Sequence, residues 1–366
     1  MANTNLSQAK NAKNDEFYTQ YQDIEKEVNA YIEYNPDVFK DKIIFLPCDD
    51  PEWSNFTKYF AQNFKKLKLK KLISTSYAVE SKTYKNGYQT TLFEKQNPIF
   101  DKNKTRIKGK IFTLTKDKTG DGKINIDDLD WKYMEGDGDF RSKEVKRLRD
   151  EADIIITNPP FSLFREFLAW IIEAKKQFLI IANMNAITYK EVFPLIKENK
   201  VWLGVKSTSK AMFFKTSNKE YASRVSSERP EGSWWRKVDG EVCIGINNSC
   251  WFTNIDHGRR HQKLPLMTMA DNLKYNKKML DKNSYDKYDN YEAIEVSFTN
   301  TIPSDYGGVM GVPVSFLDKY NPEQFEIIGE MVSTQKDEYN FGYPFINKKK
   351  VYARILIKHK EIKGKR

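Results

Sequence analysis

Cysteine and histidine are the scarcest of the chemically useful residues in this 366-residue chain, at three each. Cys48, Cys243 and Cys250 are odd in number, widely spaced and free of any CxxC pair. That pattern excludes a disulfide framework and a structural zinc site. His257, His261 and His359 have no partner in the sequence that suggests a general base. No apolar run approaches the ~20 residues that a membrane-crossing helix needs, and the polar start MANTNLSQAKNAKNDE lacks the apolar core of a secretion signal. These absences point to a soluble protein in a reducing, cytoplasmic setting, with residues 1 to 14 expected to be mobile.

What the chain has in plenty is positive charge and aromatic rings. The balance of 61 Lys and Arg against 50 Asp and Glu gives a net charge of +11, so an acidic polymer is the natural partner. An aromatic content of 14% adds stacking surface of the kind that holds nucleobases. With 39% hydrophobic residues the chain has enough apolar material for a real core rather than disorder.

The apolar residues come in short runs: KIIFLP from Lys42, KLISTS from Lys71, DIIITN from Asp153, FLIIAN from Phe178 and VWLGV from Val201. Continuous runs of this length suit strands buried on both faces. Between them lie helical patterns, SNFTKYFAQNFKKL, SLFREFLAWIIEAKK and TYKEVFPLIKEN. An earlier helix is marked by Tyr21, Ile24, Val28 and Ile32 and stopped by Asn35-Pro36. The alternation predicts an α/β fold with a mostly parallel sheet, in which ligands bind beyond the carboxyl ends of the strands. Two such ends carry unusual residues: PCDDP at 47–51 and TNPPF at 157–161. Two segments break the alternation, a charged stretch at 80–133 that reads as hairpins and a basic, Trp-containing insertion at 205–247.

TNPPF carries the sharpest chemistry. An exocyclic amine on a planar heterocycle is a poor nucleophile because its lone pair is delocalised into the ring. Hydrogen-bond acceptors placed on its two protons favour the change toward tetrahedral geometry as charge develops during alkylation. Asn158 offers a side-chain carbonyl and Pro159 a backbone carbonyl, while Pro159 and Pro160 fix φ and remove competing N–H donors. Phe161 supplies a flat face for a base. The motif resembles the catalytic motif of amino-group methyltransferases, and by itself leaves adenine in DNA, adenine in RNA or a protein glutamine amide as substrate.

The neighbouring blocks narrow this. DEFYTQYQDIEKE, CDDPEWSNFTKYFAQNF, GDGDFRS, TNPPFSLFREFL, FLIIANMNAITYKEVFPLIKENKVWLGV, LPLM, YDNYEAIEV, DYGGVMGVPVSFL and NPEQFE span most of the chain, and their order resembles that of the EcoRI-type adenine-specific DNA methyltransferases. The resemblance implies a Rossmann-like class I methyltransferase fold, S-adenosylmethionine as methyl donor, and N6 of adenine in double-stranded DNA as acceptor. It also implies a bacterial or phage-encoded, monomeric enzyme that works alone or beside a restriction endonuclease with which it makes no stable contact. By motif position, Phe17, Tyr18 and Thr19 line the cofactor pocket. Cys48, Asp49 and Asp50 lie under the methionine part, with one of the two carboxylates on its ammonium. Asp137, Asp139 and Phe140 meet its adenine end. Two features of the usual pattern are missing: no FxGxG turn follows the first strand, and LISTSY at 72–77 lacks the acidic residue that takes the ribose hydroxyls, leaving Ser74, Ser76 or Tyr77 as substitutes. An RNA methyltransferase, or a DNA-binding protein that has lost turnover, remains an alternative.

The methyltransferase core is expected at 1–204 and 248–264, and a DNA-contacting, core-completing region at 265–366. Sequence recognition is expected from the 205–247 insertion, with Lys210, Lys215, Arg224, Arg229, Arg236 and Lys237 for phosphates or guanines and Trp234 or Trp235 for packing. RRHQK at 259–263 reads as support for backbone binding. One further motif, DKTGDGKINIDD, nearly fits a calcium loop, with Asp117, Thr119, Asp121 and Asp128 at ligand positions and Gly122 at the sharp turn. Asp in place of Glu at its end, the strand-like GKIFTLT before it and the lack of a partner loop favour a hairpin tip instead, and no catalytic metal is expected.

Overall fold

The computed structural model describes residues 17–47, 49–51, 54–78, 98–206, 208, 210–216 and 219–361, with Phe17 described by its backbone alone. Cys48 lies outside the described residues, as does the first part of the charged stretch at 80–133. The chain forms two compact units, Met1–Met184 with Lys206–Ile255, and Asn185–Val205 with Asp256–Arg366. Residues 185–204 and 256–264, grouped with the core on sequence, sit in the second unit.

The first unit is built on strands that follow the apolar runs. β2 (Ile43–Leu46), β3 (Lys71–Ser76), β6 (Ile154–Thr157) and β7 (Gln177–Asn183) pair in parallel in the order β3-β2-β6-β7. Antiparallel strands flank them: β4 (Lys110–Leu114) and β5 (Asp130–Tyr133) beyond β3, and β12 (Ser249–Thr253) beyond β7. Ile44, Phe45, Ile154, Ile155, Ile180 and Ile181 are wholly buried. Neighbours along a strand point to opposite faces, so both faces of the sheet are covered, and each such side chain contributes about 1.5–3 kcal/mol by leaving water. The strand order reverses between β2 and β6. PCDDP and TNPPF therefore flank a topological switch point, where an open α/β sheet leaves a crevice.

A second, wholly antiparallel sheet has the order β1-β9-β11-β10, from β1 (Phe17–Thr19), β9 (Met212–Thr216), β10 (Trp235–Val238) and β11 (Glu241–Ile246). Three of its strands come from the basic insertion, which also forms the helix Lys219–Glu228. The helix Tyr21–Tyr34 runs as expected, burying Ile24, Glu27, Val28 and Tyr31, whereas Ile32 is only half-buried. In the second unit VWLGV forms only the two-residue β8 (Trp202–Leu203), because the carbonyls of Leu203 and Val205 bond to the side chains of His257 and Arg259. The helix expected over TYKEVFPLIKEN shortens to Phe193–Lys197, starting where Pro194 lacks an N–H to give. β13 (Ala293–Glu295), β14 (Val309–Pro313), β15 (Phe325–Met331) and β18 (Arg354–His359) form a sheet in the order β13-β14-β18-β15, and β16 (Phe345–Ile346) and β17 (Lys349–Lys350) form a hairpin.

No described helix is long and apolar enough to cross a membrane.

Candidate active site

The two loops at the switch point are tied together by short polar contacts. The Thr157 hydroxyl, at the end of β6, donates to the carbonyl of Pro47 at the end of β2 (3.0 Å). Asp49 follows, and its backbone carbonyl accepts from Thr57 (2.8 Å) and from Ser74 of β3. Ser74 is thus committed to holding the loop. The Asp49 carboxylate is buried, with Oδ1 accepting from the Ser54 hydroxyl (2.6 Å) and Oδ2 buried with no hydrogen-bond partner among the described residues. Burial pushes its pKa up to about 7, against the opposing pull of the Ser54 and Thr157 hydroxyls. Ser54 also caps the helix Asn55–Gln62, its Oγ accepting from Phe56 N (3.1 Å). Asn55 reaches from that helix to the carbonyl of Thr19 (2.8 Å), so the end of β1 is drawn to the Asp49 loop. Thr19 is buried as well, and its Oγ1 has no hydrogen-bond partner among the described residues. Ser54, Asn55 and Thr57 were not singled out on sequence. A Ser one residue before an apolar-periodic run was the available signal.

A buried carboxylate oxygen with nothing to accept from is costly unless a ligand completes it. The Asp49 loop therefore fits a cation, and the ammonium of an amino-acid moiety matches its size and charge. Asp50, half-buried beside it, raises the Asp49 pKa further.

The GDGDF turn packs on the end of β3. Gly138 has φ +94°, and a Cβ there would meet the Ser76 carbonyl at 2.5 Å, so only glycine fits. The turn brings Asp137 beside the chain that leaves β3, where Ala78 N donates to the Asp137 carbonyl (2.8 Å). The Asp137 backbone, distant in sequence, thus comes to the end of β3, where LISTSY lacks a carboxylate, while its own Oδ1 accepts from Asp139 N (3.1 Å). Asp139 is differently employed: Arg141 forks onto it (2.9 and 2.6 Å) and holds its carboxyl below the usual carboxylate range. Phe140 is buried edge-on to Phe167 and Trp170, 5.2 and 5.6 Å between centroids, in the core. Ser76 is likewise buried, while Tyr77 is half-buried.

At the end of β6, Asn158 is half-buried with its Oδ1 withdrawn from solvent, and Pro159 is buried. The Pro160 carbonyl accepts from Leu163 N (2.9 Å), closing the short 3₁₀ turn Phe161–Leu163. The Pro159 carbonyl accepts from no described residue. Phe161 is half-buried at the head of this turn, and Phe164 behind it packs on Phe252 (5.2 Å).

The insertion carries its cations on rings. Arg229 lies over Trp234 (4.7 Å), Arg236 over Phe213 (4.0 Å) and Arg224 over Tyr221 (5.6 Å). Lys210, Arg224, Arg229, Arg236 and Lys237 are exposed, Trp234 is 46% exposed, and Trp235 donates from Nε1 to the Arg229 carbonyl (2.8 Å). Lys215 pairs with Glu241 (2.5 Å). The sheet is anchored to the helix Tyr21–Tyr34, where Arg236 opposes the burial that raises the Asp23 pKa. Since Tyr18 is the register partner of Lys215, Phe17–Thr19 and the insertion share one sheet.

The calcium-like loop closes on its own backbone. Asp117 accepts from Gly120 N (2.7 Å) and Gly122 N (2.9 Å), and Asp128 from Lys118, Thr119 and Asn125 N (2.8, 2.9 and 3.0 Å). Asp121 bonds Lys123 N (2.8 Å), and no metal-competent cluster of three ligating side chains occurs among the described residues. The loop joins β4 to β5 as a hairpin.

A family model described as adenine-specific methyltransferase EcoRI matches residues 5–360. The chain belongs to the EcoRI family of adenine-specific methyltransferases. Relatives include Type II methyltransferase M.EcoRI of Escherichia coli, 44% identical across 98% of this chain and 97% of that one. Type II methyltransferase M.MgeORF184P of Mycoplasma genitalium is 33% identical across 98% and 99%. Type II methyltransferase M.MpnI of Mycoplasma pneumoniae is 32% identical across 88% and 84%. No solved structure matches. Family membership makes the chain an enzyme of sequence-specific DNA adenine methylation, and the match runs through the switch-point loops and the insertion alike.

Proposed function

We propose that this enzyme transfers a methyl group from S-adenosylmethionine to N6 of an adenine swung out of double-stranded DNA. The observation that carries this reading is the placement, across one switch point, of the two carbonyl acceptors of Asn158 and Pro159 beside the buried Asp49 carboxylate, whose Oδ2 has no hydrogen-bond partner among the described residues. The order β3-β2-β6-β7 supports a Rossmann-like class I methyltransferase core.

Asp49 holds the ammonium of the donor's methionine part, beside Thr19 at the end of β1. Asp137 takes the ribose or adenine end, since Asp139 is spent on Arg141. S-adenosylmethionine, when bound, supplies an electrophilic methyl group. The chain's task is to present N6. Asn158 Oδ1 and the Pro159 carbonyl accept its two protons, stabilising the positive charge that develops on nitrogen. Phe161 stacks on the flipped base, which cannot be reached inside the duplex. No residue forms a covalent intermediate, and proton loss follows from the acidity of the alkylated amine. Catalysis is positioning plus two fixed acceptors.

The insertion reads sequence and grips phosphate through Arg224, Arg229, Arg236 and Lys237. We assign the enzyme to the cytoplasm, acting as a monomer, alone or as the modification partner of a restriction endonuclease. The test is methyl transfer from labelled S-adenosylmethionine to unmethylated duplex DNA and, in parallel, to RNA, followed by sequencing for N6-methyladenine. One modified DNA motif is expected. Incorporation into RNA alone would overturn the substrate assignment.

A further inference from the structure

The second unit holds most of its arginines in internal bonds. Arg354 forks onto Glu295 (3.1 and 2.5 Å), Arg259 pairs with Asp318 (2.9 Å), and Arg260 lies over Trp202 (3.8 Å) and bonds Asn199 (2.8 Å). Arg259 and Arg260 of the RRHQK segment are thereby engaged within their own unit. The hairpin β16–β17 is the opposite case. It ends in Lys348, Lys349 and Lys350, all exposed, and is followed by Tyr352, the most exposed large hydrophobic side chain among the described residues at 85%. None of the three ammonium groups pairs with a carboxylate among the described residues, and Lys350 lies over the ring of Tyr343 (3.2 Å).

The tip is rigid. Asn347 and Lys348 form a two-residue turn with φ +51° and +63°, the geometry that favours Asn-Gly. Asp289 clamps it from within, accepting from Asn347 N (3.1 Å) and Lys348 N (2.6 Å), and Asn290 bonds both Phe345 N (3.2 Å) and the Tyr343 carbonyl (2.9 Å). A lysine in left-handed backbone is strained relative to glycine. Three cations clustered around a stiff turn, beside an exposed aromatic, form a compact positive site of the kind that engages a phosphate backbone.

We infer that the hairpin Phe345–Lys350 is a second DNA-contact element, in which Lys348, Lys349 and Lys350 engage backbone phosphates and Tyr352 packs beside them. It contributes affinity without reading sequence, because lysine contacts to phosphate carry no base information. The inference rests on the reading of the chain as a DNA methyltransferase.

The test is the salt dependence of binding to a mixed-sequence duplex, for the full chain and for a variant carrying Lys348→Gly, Lys349→Gln and Lys350→Gln. Glycine relieves the turn, so the variant's melting temperature should not fall below that of the parent. Three lost phosphate contacts should lower the slope of log K against log salt by about 2.7, with the methylated motif unchanged. An unaltered slope in a folded variant overturns the inference. Failure of the parent to bind duplex DNA would instead sink the DNA methyltransferase reading. Tyr352→Ala should weaken binding with the slope kept; full-strength binding removes Tyr352 from the contact.

Discussion

The switch-point loops and the sheet β1-β9-β11-β10 hold different polar groups in opposite ways. At the switch point, polar groups are buried and held by other polar groups: Ser54 on Asp49, Thr157 on Pro47, Asn55 on Thr19. In the sheet β1-β9-β11-β10, the cations are exposed and held by rings, at 4.0 Å for Arg236 and 4.7 Å for Arg229. Buried polar groups in fixed geometry act on a transition state, whereas exposed cations on flat supports act on affinity and choice of site. The two regions meet in β1, where the Thr19 carbonyl accepts from Asn55 of the Asp49 loop's helix while the backbone pairs with β9. Substitutions should therefore separate into losses of rate and losses of binding.

The largest expected effect is on rate. Asn158→Ala removes one of the two acceptors for N6, and the loss of such a group costs about 10²–10³ in kcat. Duplex binding, measured by fluorescence anisotropy, should be largely spared. Equal loss of both would erase the distinction between the regions.

Next comes cofactor affinity. Asp49→Asn keeps the shape but removes the charge, and breaking a buried charge pair costs roughly 2–5 kcal/mol of binding, readable by calorimetry with S-adenosylmethionine. The same residue sets a pH dependence. Its folded pKa of about 7 stands above the ordinary 3.8, so the folded, ligand-free protein binds the extra proton between those values. Stability then falls as pH rises from 3.8 to about 7, while cofactor binding strengthens over the upper part of that window as the carboxylate charges. Asp49→Asn should flatten both trends and melt higher than the parent at pH 8 without ligand.

Arg236→Ala tests the other side of the comparison. If its guanidinium, steadied on Phe213, reads a guanine, discrimination at one position of the motif drops by about 1–3 kcal/mol. Lys237→Ala should instead weaken all duplexes alike and lower the salt slope by about 0.9. Methylation profiling of a random library separates the two outcomes.

Much of the catalytic half was legible because its signals are local. Apolar runs gave β2, β3, β6 and β7, and a proline pair behind an isoleucine run marked the turn at Asn158. What stayed hidden depends on contacts between distant segments. Asp137 and Asp139 are alike in sequence, yet Arg141 takes one of them. The insertion read as a basic interruption is a sheet completed by β1, whose pairing with β9 spans about two hundred residues and has no local signature. Phe140 follows the GDGD turn as a cofactor residue would, but Phe167 and Trp170 bury it.

Ser54 gives the smallest and most discriminating effect, because it does two things at once. Its hydroxyl caps the helix Asn55–Gln62 and donates to Asp49 Oδ1. Ser54→Ala loses the cap, about 1 kcal/mol of stability, and leaves Asp49 with one hydrogen bond fewer. Since that bond lowers the Asp49 pKa, its loss should move the onset of cofactor binding to higher pH. Ser54→Thr retains the hydroxyl and should restore both properties. A shift in the pH profile of KM at unchanged kcat would place Ser54 with the binding groups; a fall in melting temperature with the profile unmoved would confine it to the helix cap.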